Sequence, residues 1–369
     1  MPVGGEVPDA VRWAFDPARL TQARHLAGVT KKALAEAIGV TAAAVGQYEV
    51  GASRPRPDLI PLLARELDVP PEFFVAGRPH GRLDTSTAHF RSLRSTRAYQ
   101  RAKAIAYTEQ AWELVNALEK RVDLPPVDLP GVDTDDPQAA ARTVRAHWGL
   151  GGGPVTHLVR RLEAHGVVVL TPPRDPDADS VDAFSTTRLT RPIVVLTRNR
   201  ADDVHRHRFT AAHELGHLVL HHESAVPGDP AREREADAFA AEFLTPRDSI
   251  LPALPKRVDL KHLADLRRTW GVSVHSLVYR CRELGLISDS AAGRAYQRLH
   301  ALADTPGFAP EPVDTFPGEL PSLLAKAYEL ACAHGLDLAE LATELSWHPA
   351  RVRELLGVRA GRPVLTLVE

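Results

Sequence analysis

Cysteine is nearly absent from this 369-residue sequence, which has only Cys281 and Cys332, far apart and without a C-x-x-C neighbour. That excludes a disulfide framework and a thiolate zinc site, and both residues are expected as buried thiols. No apolar run approaches the roughly 20 residues of a membrane-spanning helix. The N-terminus, Met1-Pro-Val-Gly-Gly-Glu, lacks the basic-then-apolar order of a secretory signal, so a cytoplasmic protein without membrane contact is expected. Net charge is also missing: 45 Lys and Arg against 47 Asp and Glu leave −2. Any attraction to nucleic acid must therefore come from local charge. Gly151-Gly152-Gly153 has neither the lysine nor the spacing of a phosphate loop and reads as a turn. A hydrophobic content of 44% over this length is enough for two or three cores.

What is present is concentrated in residues 208 to 221, Arg-Phe-Thr-Ala-Ala-His-Glu-Leu-Gly-His-Leu-Val-Leu-His. His213, Glu214 and His217 form an H-E-x-x-H array, the signature of a zinc-dependent hydrolase. On a helix, positions i and i+4 share a face, so both imidazoles can reach one Zn2+ ion, with Glu214 beside it as the base for water. Apolar Phe209, Ala211, Ala212, Leu215, Leu218, Val219 and Leu220 surround the array. Three polar groups on a buried helix need partners, and one ion supplies them together. A third protein ligand is still required. His221 and His222 sit on the same helix, and His221 lies about 12 Å along the axis from His213, too far to share an ion. A metzincin would need glycine at 220 and histidine at 223, where this chain has Leu220 and Glu223. The helical segment 231–246 that follows the Pro227-Gly-Asp-Pro breaker remains, and from it either Glu233 or Glu235 can return to the metal.

Arg208-Phe-Thr-Ala-Ala-His-Glu-Leu-Gly-His followed by Glu235-Ala-Asp-Ala-Phe-Ala-Ala-Glu-Phe-Leu-Thr-Pro resembles the ImmA/IrrE family of bacterial zinc metallo-endopeptidases. The resemblance implies Glu235 as the third ligand and leaves Glu233 a solvated helix charge. It also marks a departure, Asp237 standing where that family usually has asparagine. His205, His207, Arg208 and Tyr279 are the candidates for stabilising an oxyanion.

A second signal lies near the N-terminus. Asp16-Pro17 opens a helix that Gly28 closes, Thr30 caps a second ending at Gly39, and Thr41 caps a third. Residues 29 to 51, with Arg54-Pro55 and the segment from Leu59 to Phe74, are similar to the Xre and lambda-repressor-like helix-turn-helix domain. Leu34, Ile38, Val45, Leu62, Leu63 and Leu67 supply its core, and the third helix, from Thr41 to Tyr48, is expected in the major groove. Ala42, Ala43 and Ala44 open that helix, so Thr41 and Gln47 carry most of its hydrogen bonding to bases, while an alanine can touch a thymine methyl. Lys31, Lys32, Ser53, Arg54 and Arg56 are placed to grip phosphates. Glu49 is expected to pair internally with Arg54.

The expected architecture is mainly α with a small antiparallel β-sheet in the peptidase domain, an N-terminal all-α helix-turn-helix domain and a C-terminal helical bundle. Its segments are the DNA-binding domain at 14–77 and a linker with an amphipathic helix at 78–136. The zinc metallopeptidase core follows at 137–255 and a helical region at 256–369. Arg91, Arg94, Arg97 and Arg101 read as a solvated helical face. The sheet offers an edge for an extended peptide. The expected protein is a transcription regulator, a homodimer on double-stranded operator DNA, whose peptidase cleaves a protein substrate such as a repressor. The alternative is a regulator or antitoxin-like protein whose pocket senses a metal or small ligand without proteolysis.

Overall fold

The computed structural model describes residues 14–79, 81, 83, 89–90, 98–172, 183–186, 189–197, 202–221 and 229–358. Arg91, Arg94, Arg97 and His222 lie outside the described residues. The chain forms two compact units, the first comprising Met1–Thr85, Thr96–Leu124 and Leu324–Glu369, the second Ser86–Ser95 and Pro125–Leu323.

In the first unit, α1 (Pro17–Ala27), α2 (Lys31–Ile38) and α3 (Ala42–Glu49) start where their caps dictate. The side chains of Asp16, Thr30 and Thr41 accept from the backbone N–H groups of Ala18, Ala33 and Ala44 at 2.9, 3.1 and 3.1 Å. Each satisfies a donor that the first helical turn leaves open. Gly28 and Gly39 end the first two helices at φ +70° and +73°, the left-handed region that a side chain disfavours. With α4 (Ile60–Glu66) these helices enclose Leu20, Leu34, Val45, Leu63, Phe73 and Phe74, all buried. Leu62, expected among them, is half-buried.

The long helix α5 (Ala98–Glu119) belongs to this unit rather than to a linker. Ala111, Leu114, Val115 and Leu118 are fully buried, and the polar Gln110 and Glu113 are buried with them. Glu113 accepts from Gln22 Nε2 at 3.1 Å and pairs with both Arg19 and, at 3.3 Å, Arg78. Burial and the neighbouring Arg19 push the Arg78 guanidinium down to about 10. Arg78 also donates to the backbone carbonyls of Phe73 and Leu345, so one carboxylate ties α1 and α5 to the helix Leu338–Leu345. The expected segments 78–136 and 256–369 are each divided between the two units. Residues 98–124 and 324–358 fall in the same compact unit as the helix-turn-helix, and α5 is buried on more than the single stripe its apolar residues suggest.

The second unit contains a four-stranded sheet among the described residues, in the order β1–β3–β4–β2. The strands are β1 (His89–Phe90), β2 (Val168–Leu170), β3 (Ala183–Thr186) and β4 (Ile193–Leu196). β3 runs antiparallel to both β1 and β4, whereas β2 pairs with β4 in parallel, Val168 opposite Ile193. The sheet is mixed rather than antiparallel because β4 inserts between β2 and β3. The outer edge of β3 is taken by the chain's own residues 89–90. Around the sheet lie α6 (Pro137–His147), α7 (Leu158–Ala164), α8 (Val204–Leu220) and α9 (Pro230–Leu244). The glycine-rich turn is tied down by buried Arg145, which donates to Gly151 O and Gly153 O at 2.6 Å each. Further helices at Leu260–Trp270, Val274–Glu283 and Asp289–Ala301 complete the unit, so the fold is mainly α with a small sheet. Cys281 is buried and its thiol is pushed up to about 11 by desolvation, whereas Cys332 is only half-buried. Among the described residues no helix is long and apolar enough to cross a membrane.

Because Arg19 is 1% exposed in its side chain, removing its partner strands a buried charge. Glu113→Ala is expected to lower the unfolding free energy of the first unit by about 3 kcal/mol, read from the shift of its urea transition. A change within about 0.5 kcal/mol, the range of ordinary surface substitutions, would show that the network does not hold the unit together.

Candidate metal centre

Helix α8 is buried along most of its length, with Ala211, Ala212, Leu215, Leu218 and Val219 facing the core. His213, Glu214 and His217 are at most 1% exposed. The Nε2 atoms of His213 and His217 lie 3.0 Å apart. Their other ring nitrogens are engaged: His213 Nδ1 is 2.8 Å from Asp237 Oδ1, and His217 Nδ1 is 2.9 Å from His221 Nδ1. Both Nε2 atoms therefore converge on one point, where Glu233 brings its carboxylate, 3.4 Å from His213 Nε2 and 3.6 Å from His217 Nε2. Ligands held at about 2.0–2.1 Å in a tetrahedral zinc site stand roughly 3.3 Å from one another. The donor set His213, His217 and Glu233 matches that spacing and the two-nitrogen, one-carboxylate chemistry of a catalytic zinc site.

Glu235, implied by the family resemblance as the third ligand, goes elsewhere. Its Oε2 is 2.9 Å from His221 Nε2, and Glu233 takes the place beside the two histidines. The reason is rotational. Residues two apart on a helix differ by about 200°, so the two glutamates leave α9 on different flanks, Glu233 toward His213 and His217 and Glu235 toward His221. The face of α9 that meets α8 carries Ala236, Phe239, Ala240 and Phe243, all buried. Glu233 flanks that face at i, i+3 and i+7 with Ala236 and Ala240, and Glu235 flanks it at i, i+4 and i+8 with Phe239 and Phe243, so helical period alone does not choose between them. Gly216 lets the two helices approach closely enough, since a Cβ there would lie 3.1 Å from the Phe239 ring. His221 stays outside the ligand group, and burial holds its imidazole below the ordinary value despite Glu235.

Glu214 reaches the sheet. Ser185 Oγ on β3 donates to Glu214 Oε2 at 2.7 Å, a buried contact that sequence spacing could not reveal because the two residues are 29 apart. The candidates for oxyanion stabilisation have other roles. His207 Nε2 lies 3.0 Å from Glu319 O, His205 Nε2 lies 3.4 Å from Glu311, and Arg208 pairs with Glu319 and donates to Gly271 O at 2.8 Å. Burial and Arg267 depress the imidazole of His205. Tyr279 is exposed, with the Arg282 guanidinium 4.9 Å from its ring.

On the helix-turn-helix, Thr41, Ala42, Ala43 and Gln47 are exposed on α3, together with Lys32 on α2 and Arg54 after α3, while Ser53 is half-buried. Thr41 spends its hydroxyl as an acceptor on the cap of α3. Lys31 is half-exposed and 3.1 Å from Glu49, which also pairs with Arg24. Glu49, expected to pair with Arg54, is thus held by Arg24 and Lys31. Arg56 makes an exposed pair with Asp58 at 3.1 Å.

The geometry separates the two glutamates by experiment. Glu233→Ala should weaken metal binding by far more than the roughly 10–100-fold expected for a residue acting through a ligand, and Glu235→Ala should stay within that range. Chelator competition measures both, and equal losses would remove Glu233 from the ligand set.

Two family models match this chain. Residues 162–282 match the IrrE N-terminal-like domain of the Peptidase_M78 family, and residues 20–74 match a helix-turn-helix model. No curated protein matches. The first match contains the convergent histidines and Glu233, and the second contains α2, α3 and α4. The chain therefore joins a helix-turn-helix domain to an IrrE-like, metallopeptidase-like domain.

Proposed function

We propose that this protein is a DNA-binding regulator whose metal centre hydrolyses peptide bonds in a partner protein, such as a repressor. The observation that carries this reading is the convergence of His213, His217 and Glu233 beside a buried Glu214 braced by Ser185. A pure metal sensor has no use for a positioned base. Zinc, which this donor set and the family resemblance imply, supplies Lewis acidity when bound, acidifying water and polarising a scissile carbonyl. His213, His217 and Glu233 hold it. Glu214 accepts the proton of the attacking water and delivers it to the leaving amine, and Ser185 fixes the carboxylate for both transfers.

The helix-turn-helix directs the protein to an operator. Gln47 and Thr41 read base edges from α3, Ala42 and Ala43 contact thymine methyls, and Lys31, Lys32, Ser53 and Arg54 set the register on phosphates. A homodimer fits a reader with so few long side chains, because two half-sites multiply a small set of contacts.

Glu214→Gln is expected to retain the metal and to slow cleavage of a candidate repressor by about 10²–10⁴-fold, assayed by gel on the metal-loaded protein. Cleavage at the wild-type rate would remove Glu214 as the base and favour a sensing role. On DNA, Lys32→Ala should weaken binding to all sequences alike and reduce the salt slope by about 1, whereas Gln47→Ala should relax preference at particular base pairs. A footprint unchanged by substituting Thr41 and Gln47 together would show that α3 is not the reader.

A further inference from the structure

We propose that Asp237 and the His221–Glu235 pair are positioning residues that fix the tautomers of His213 and His217, so that both Nε2 lone pairs face the metal. This rests on the metal-site reading above but not on any proteolysis.

A neutral imidazole carries one N–H and one lone pair, and an Nε2 ligand must keep its proton on Nδ1. What each Nδ1 faces therefore decides whether the ring is ready to bind. For His213 the partner is direct: Asp237 Oδ1 is 2.8 Å from Nδ1, and an ionised carboxylate only accepts. The proton is held on Nδ1, and the Nε2 lone pair points to where His217 Nε2 and Glu233 converge. For His217 the partner is another imidazole, His221, whose Nδ1 at 2.9 Å can act as donor or acceptor. Glu235 removes that ambiguity. Its Oε2 lies 2.9 Å from His221 Nε2 and, accepting only, places the His221 proton there. His221 Nδ1 is then an acceptor, and His217 must donate to it from Nδ1. One carboxylate thus sets the state of a ligand through an intervening ring.

The fold places these groups economically. Residues 233, 235 and 237 all belong to α9, and each serves the histidine pair by a different route: Glu233 directly, Asp237 through one Nδ1, Glu235 through His221. His221 is able to fold back because α8 ends at Leu220 and His221 leaves the helix at φ −119° and ψ 52°, its ring centroid 5.1 Å from that of His217. Standing next to His217 and outside the ligand group, His221 braces the nearer histidine.

The test uses the full-length protein and the metal alone. Zinc affinity is measured by chelator competition, and the visible d–d spectrum is recorded with cobalt in place of zinc. His221→Ala and Asp237→Ala are each expected to weaken zinc binding by about 10–100-fold and to alter the cobalt spectrum, while the melting midpoint of the metal-free protein stays unchanged. Asp237→Asn keeps an acceptor oxygen for the His213 Nδ1–H and should restore most of the affinity. Glu235→Gln keeps the shape but lets the amide turn either way, and should fall between wild type and His221→Ala. Wild-type protein that takes up no stoichiometric metal would sink the metal-site reading itself. Wild type that binds, with His221→Ala and Asp237→Ala binding equally well, would overturn this proposal alone. Affinity losses that track a loss of melting midpoint in the metal-free variants would also overturn it, by assigning these residues to folding.

Discussion

The close crossing of α8 and α9 is the contact on which the rest of the second unit depends. Gly216 faces the ring of Phe239, where a Cβ would lie 3.1 Å from the ring and force it to shift. Only at that separation does a glutamate on α9 fall within ligand distance of two histidines on α8. The apolar residues that flank the crossing, Ala212, Leu215, Ala240 and Phe243, are buried, so the histidines and Glu214 sit within a packed interior with Glu233, Glu235 and Asp237 at its margin. A polar cluster in such a place is stable only when its members satisfy one another or an ion. The arrangement of His213, His217, Glu233, Asp237, His221 and Glu235 meets that requirement with a polar partner at each ring nitrogen of the three histidines.

A buried carboxylate plays the corresponding part in the first unit. Glu113 on α5 meets Arg19 from α1 and Arg78 from the segment after the helix-turn-helix, and Arg78 reaches the carbonyl of Leu345. Lys120 and Arg121, at the end of α5, add contacts to Glu344 at 2.8 and 2.7 Å. These exposed pairs contribute little by themselves. The buried charges set which surfaces can pack, since an alternative packing would leave a guanidinium without its partner. The helix-turn-helix is in this way part of a unit that includes the helix Leu338–Leu345.

Much of the local structure was legible in the residues. The caps at Asp16, Thr30 and Thr41 and the glycines at 28 and 39 marked three helices because their chemistry acts over three or four residues. The H-E-x-x-H array placed two imidazoles on one face for the same reason. The role of α5 was not legible: its apolar stripe suggested a helix with one buried side, while Glu113 and Gln110 are buried through partners distant in sequence. The mixed sheet escaped as well, since the order of β4 between β3 and β2 is not encoded by the alternation within any strand.

The sequence by itself determined that two histidines share a helical face, that Glu214 stands beside them, and that a helix-turn-helix precedes them. Each follows from the fixed period of the α-helix and from caps that lie next to what they cap. Tertiary structure decided which carboxylate joins the histidines, which partners hold their outer nitrogens, and that Ser185 braces Glu214. Those outcomes depend on the rotation and separation of α9 and β3 against α8. Side-chain packing across the crossing sets both, and no spacing within a single segment contains them.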